Sequence, residues 1–187
     1  MINSLKSNGY SIAYYHLIAE LETPYYNAKK VSPSLFQRHI RYFKKTKKFV
    51  SFQELSELRA SNTEDLSQYI VLTFDDGYRL NVESVGNFLS DENIPATFFV
   101  TGCVLKNELM WRDHLAYAAD FLFRSQSDRQ VEFLNAIQNS KDWSYAEFIA
   151  RSQALCENFG IPTGEAIIDE CSPYMSVPCI KDLLECG

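Results

Sequence analysis

The stretch YIVLTFDDGY, residues 69–78, limits the folds open to this chain more than any other. From Tyr69 to Phe74 it is apolar except for Thr73, with no alternation of polar and apolar positions. A strand of that pattern is buried on both faces, as in the interior of a parallel sheet. It then ends on two adjacent carboxylates, Asp75 and Asp76, followed by Gly77. Neighbouring side chains on a strand point to opposite faces, so the pair shares a rim only if the strand ends between them and the chain turns at the glycine.

The flanking segments fit a parallel sheet. NVESVGNFLSDENIP sets Val82, Val85 and Leu89 on one helical face and closes at Pro95, and ATFFVTG follows as a second buried strand. Strand, helix and strand make a βαβ unit and predict an α/β fold. In such folds the carboxyl ends of the strands face the functional rim, which is where Asp75 and Asp76 fall. Upstream, YSIAYYH reads as a strand from Tyr10 that ends on His16, followed by a loop through Pro24 and Asn27. VSPSLFQRHIRYFKKTKK predicts an amphipathic helix with Ser32 as N-cap, Pro33 at the first helical position, and Phe36, Ile40 and Phe43 on one face. FVSFQELSEL predicts a brief strand and then a helix opened by a Ser51–Glu54 capping box.

From Trp111 onward the pattern is helical. MWRDHLAYAADFLF carries Trp111, Leu115, Ala118 and Leu122 on one stripe, and YAEFIARSQALCENFG carries Phe148, Ala154 or Leu155, and Phe159 before a stop at Gly160. A last helix is expected after Pro178. At 187 residues the chain suits one domain, divided as a leading strand–helix segment (1–68), the βαβ unit (69–102) and a helical block with the last helix (103–187).

Composition narrows the partners. A net charge of -6 argues against nucleic acid, which asks for a basic face. The one basic run, RHIRYFKKTKK, reads as the solvated side of the helix carrying Ile40 and Phe43. No stretch reaches the ~20 apolar residues of a membrane span, and MINSLKSNGYS lacks the apolar centre of a signal peptide, so a cytoplasmic location is expected. The five cysteines form no C-x-x-C pair and read as small buried hydrophobes.

Two close carboxylates raise one pKa unless a cation intervenes, so the pair suits a shared proton or a metal ion. With a metal, one carboxylate binds the ion and the other takes a proton from water. The plainer alternative is that one aspartate caps the following helix and the other pairs with a nearby lysine or arginine. Haloacid dehalogenase-like phosphatases also end a strand on acids, but they need Asp-x-Asp so that both share a face, and here the two are adjacent.

LTFDDGY followed by IPATFFVTG resembles the first motif and second strand of the polysaccharide deacetylases, the NodB-homology domain of carbohydrate esterase family four. IAYYHLI, VSPSLFQRHIRYFKK and FVSFQEL resemble the leading segment of the biofilm-type members. The resemblance implies an incomplete or distorted (β/α) barrel with a helical insertion after the second motif strand. It implies a metal-dependent hydrolase that removes acetyl groups from an N- or O-acetylated polysaccharide or oligosaccharide, acting on carbon–nitrogen bonds other than peptide bonds in the N-linked case. Asp75 would be the general base, Asp76 a ligand of a divalent ion, zinc foremost, and His16 a residue of the rim. Family members often act outside the membrane.

The resemblance also implies a His-x-x-x-His pair, and His16, His39 and His114 do not provide one. MSVPCIKDLLECG resembles the segment that leads into that pair. The expectation is a truncated product whose metal site is incomplete, inactive as the isolated chain and prone to self-association through an unfinished barrel edge. The alternative is a non-catalytic glycan-binding or interaction remnant of the fold.

Overall fold

The computed structural model describes residues 3–7, 9–20, 23, 30–63, 65–106, 108–126, 128–138 and 142–185. The predicted loop through Pro24 and Asn27, and Cys186, lie outside these. The chain divides into two compact units, one of Met1–Leu21, Lys29–Gly102 and Pro173–Gly187, the other of Glu22–Ala28 and Cys103–Ser172.

The first unit is built around one buried strand. Its elements are β1 (Asn3–Ser7), β2 (Tyr10–Tyr15), β3 (Leu17–Ile18), β4 (Lys30–Val31), α1 (Pro33–Phe43), β5 (Lys48–Phe49), α2 (Phe52–Ala60), β6 (Tyr69–Phe74), α3 (Arg79–Asp91) and β7 (Ala96–Phe98). β2 runs parallel along one edge of β6, with Ser11 opposite Ile70 and Tyr15 opposite Phe74. β5 and β7, also parallel, share the other edge: β5 meets Tyr69 and Ile70, and β7 meets Leu72 to Phe74. β1 pairs antiparallel with β2, and β3 and β4 form a separate parallel pair. Among the described residues this sheet is open.

The apolar run of β6 is explained by cover on both sides. Ile70, Leu72 and Phe74 point into a core with Phe36 and Ile40 of α1 and Val85 and Leu89 of α3. Val71, on the opposite face, packs with Val50, Leu55 and Leu66. Each large side chain so buried contributes roughly 1.5–3 kcal/mol. The two helices begin as their sequences require: Ser32 Oγ accepts from the Leu35 amide at 3.3 Å, and Ser51 and Glu54 close a capping box. α3 starts at Arg79, two residues earlier than expected, and buries Asn81 along with Val85 and Leu89, leaving Val82 half-buried. β7 is three residues long and half-buried rather than buried, and among the described residues only one of its edges is paired.

The second unit is helical. α4 (Gly102–Leu105) leads to α5 (Trp111–Arg124), α6 (Gln130–Ile137), α7 (Tyr145–Phe159) and α8 (Gly164–Cys171), and α9 (Val177–Glu185) returns to the first unit. Leu115, Ala118 and Leu122 of α5 pack against Phe133, Phe148, Cys156 and Ile161. α7 buries Phe148, Ser152 and Cys156, so its apolar stripe runs one position from the predicted Leu155, which is only partly covered. Gly160 ends α7 at φ 67°, a left-handed cap that suits glycine. No described helix is long and apolar enough to cross a membrane.

Candidate active site

Three strand ends meet at the carboxyl edge of the sheet. The ladder continues one residue past β6 on both sides: the Asp75 amide donates to the Tyr15 carbonyl at 2.8 Å, and the Phe99 amide donates to the Phe74 carbonyl at 2.7 Å. His16, Asp75 and Phe99 are therefore consecutive neighbours in register, each one residue beyond Tyr15, Phe74 and Phe98. Those three preceding rings lie together on the core face, Tyr15 at 6.0 Å and Phe98 at 4.9 Å from Phe74 between centroids. Alternation then turns His16, Asp75 and Phe99 to the opposite face, along with Tyr14, Thr73 and Thr97.

The chain reverses immediately after Asp75. Asp76 and Gly77 both adopt φ 72°, so the left-handed turn begins on the second aspartate and not, as expected, on the glycine alone. A non-glycine residue held there costs about 1 kcal/mol, and aspartate tolerates the region better than most. One hydrogen bond holds the turn, from the Met175 amide to the Gly77 carbonyl at 2.9 Å, and the space beside Gly77 is tight, since a Cβ there would stand 3.2 Å from Val100 Cγ1. The turn frees Asp76, but not Asp75, from the strand's alternation. Neither serves as the cap of α3, whose N-cap is Tyr78 with no side-chain cap bond. Among the described residues neither forms an ion pair with lysine or arginine.

Burial raises the pKa of Asp75 above the usual carboxylate value, the nearby His16 pulls it back down, and Asp76 adds a smaller upward push. His16 and Asp76 thus both lie within Coulombic reach of Asp75, and the three groups are one electrostatic cluster. His16 is fixed through its backbone: Asn81, fully buried on α3, donates from Nδ2 to the His16 carbonyl at 2.7 Å and accepts the Ile18 amide on Oδ1 at 2.8 Å. The other histidines stand apart. His39 Nδ1 meets the Tyr15 hydroxyl at 3.1 Å, and His114 Nε2 meets the Pro162 carbonyl at 3.2 Å and Cys156 Sγ at 3.4 Å. Burial depresses the pKa of both rings and raises that of the Cys156 thiol to about 11, so that thiol stays protonated.

Sequence reasoning did not find Asn81 or the pairing of Phe99 with Asp75. A buried asparagine inside RLNVES carries no periodic signal, and register across strands is not written in either strand alone.

A catalytic zinc site takes about three protein ligands. Among the described residues no group of three histidine, cysteine, aspartate or glutamate side chains could hold a metal ion. The donors present, Asp76 with Asp75 and His16 nearby, do not make that site.

The parallel sheet, with two carboxylates following its central strand, makes this part of the chain α/β. Residues 62–149 match the family model described as polysaccharide deacetylase. Two solved structures are similar. One is a de-N-acetylase from Aggregatibacter actinomycetemcomitans, at 25% identity and a TM-score of 0.44, with 51% of this chain and 38% of that one covered. The other is a Bacillus anthracis protein assigned as a polysaccharide deacetylase, at 20% identity and a TM-score of 0.38, with 57% of this chain and 34% of that one covered. The chain thus spans well under half the length of either. No curated protein matches it.

Proposed function

We propose that the rim around Asp75 serves acetyl removal from an N- or O-acetylated polysaccharide, with Asp75 as general base. The observation that carries this reading is the register of His16, Asp75 and Phe99 at the strand ends, with the turn at Asp76 bringing the second carboxylate to the same rim. A half-buried carboxyl held above its usual range is a better proton acceptor once ionised. The Asp75 carboxylate takes a proton from water as the oxygen adds to the acetyl carbonyl carbon. The tetrahedral adduct then collapses, the carbon–nitrogen or carbon–oxygen bond breaks, the proton passes to the departing amine or alkoxide, and acetate leaves. His16 stands beside Asp75 and favours its ionised form.

Asp76 is the residue we assign to a divalent ion, and by itself it does not complete a site. On this reading the 187 residues alone release no acetate, and further donors are needed. The same donor count favours a second reading, in which the rim binds glycan without turning it over. Acetate release from N-acetylglucosamine oligomers separates the two. The natural gene product, as purified from its host, should release acetate and lose at least about a hundredfold in rate as Asp75→Asn. A natural product that binds the oligomer and releases no acetate leaves the second reading standing.

A further inference from the structure

Phe52 and Phe99 form an exposed aromatic pair directly beside Asp75. Phe52 is 38% and Phe99 51% exposed, yet their rings meet edge to face with centroids 6.2 Å apart. They reach this spot from different elements. Phe99 follows β7, and its amide bond to the Phe74 carbonyl makes it the register neighbour of Asp75. Phe52 opens α2, just after β5, and the Val50 amide ties that segment to the Ile70 carbonyl at 3.0 Å. β5 and β7 lie end to end on the same edge of β6, which brings the two rings together at the rim.

Leaving two phenylalanine rings in water is unfavourable unless something covers them. By strand alternation Phe99 shares its face with Asp75, Thr73 and Thr97, so a ligand lying on its ring sits beside the Asp75 strand end in register. A pyranose suits both demands. One side of the ring presents apolar C–H groups that lie against an aromatic face, while its hydroxyl and acetamido groups point outward at the edge. The planar phenyl ring and the rigid chair of the sugar make this contact at small entropic cost.

We propose that Phe99, backed edge-on by Phe52, is the platform on which one N-acetylated hexose of the substrate stacks, setting its acetyl group over Asp75. The assignment rests on the deacetylase reading for its ligand, and it makes Phe99, within IPATFFVTG, a substrate-contacting residue. The polar face of the sugar is then directed toward Thr97 and Asp75, and chain length beyond the stacked unit is read elsewhere.

The test is binding of tetra-N-acetylglucosamine to the 187-residue chain, followed by calorimetry and saturation-transfer NMR. Wild type should bind. Phe99→Ala should weaken binding about fivefold to tenfold, Phe52→Ala less, and Phe99→Trp should hold or tighten it, since stacking is what the position supplies. Because both rings are exposed, unchanged far-ultraviolet circular dichroism is expected for all variants. Binding by wild type that Phe99→Ala leaves intact overturns the platform while the deacetylase reading stands. Weakened binding by Phe99→Ala in a protein whose natural form releases no acetate supports the platform and removes the deacetylase reading. Wild type that binds no oligomer, or self-association abolished by Phe99→Ala, assigns the rings to another occupant and overturns the proposal.

Discussion

Asn81 joins the helix after the carboxylate turn to the strand end that bears His16: its Nδ2 donates to the His16 carbonyl at 2.7 Å. Its Oδ1 accepts the Ile18 amide at 2.8 Å, and none of the side chain is exposed. Replacing it with alanine strands two buried backbone groups. Asn81→Ala should therefore lower unfolding free energy by about 1–3 kcal/mol. Chemical denaturation measures this, and a loss within error of zero would mean that water or another side chain takes over both bonds.

The two half-buried histidines, His39 and His114, set a pH dependence of stability. Burial lowers the pKa of His39 and of His114 from 6.5, so each contributes stability that is complete above that value and fades as pH falls toward the folded-state pKa. The Tyr15 hydroxyl, 3.1 Å from His39 Nδ1, is compatible with a neutral ring: burial drives its own pKa far up, so it keeps a proton that it can donate to that nitrogen. Carboxylates with lowered pKa, such as Glu54, act only at more acid pH. Thermal unfolding should thus occur at lower temperature at pH 5.5 than at pH 7.5, and His39→Gln with His114→Gln should flatten the difference. An unfolding temperature that rises on acidification would contradict the assignment.

Zinc titrated into the 187-residue chain should bind weakly and without fixed stoichiometry, because Asp76 lacks two further donors among the described residues. Asp76→Ala should change little. Tight one-to-one zinc in calorimetry that Asp76→Ala abolishes would show that the donor set is larger than the cluster around Asp75.

The outer edges of β5 and β7 carry no strand partner among the described residues, and such edges pair with other chains. Sedimentation velocity should show association that grows with concentration and persists in Phe99→Ala, since backbone and not the ring makes that contact. A strictly monomeric chain across the micromolar range would count against it.

What could be read from sequence was what is local. Ser32 and Pro33 announced α1, Ser51 and Glu54 announced α2, and the unbroken apolar run from Tyr69 announced a strand covered on both faces. That this strand ends on two acids was legible too, whereas the left-handed turn starting on Asp76 was not. The misses have a common cause. β1, with the polar sequence NSLKS, is a strand only because β2 offers it an antiparallel edge. Asn81 is buried only because the chain after His16 needs a partner. Phe52 and Phe99 meet only because two short strands share one edge of β6. Each depends on distant parts of the chain that no window of sequence contains.

Acetate release by the natural gene product, with and without Asp75→Asn, tests the central claim most directly. The account predicts release from N-acetylglucosamine oligomers by wild type and a loss of about a hundredfold or more in the variant, with glycan binding retained. A variant that binds the oligomer and releases acetate at the wild-type rate would contradict it.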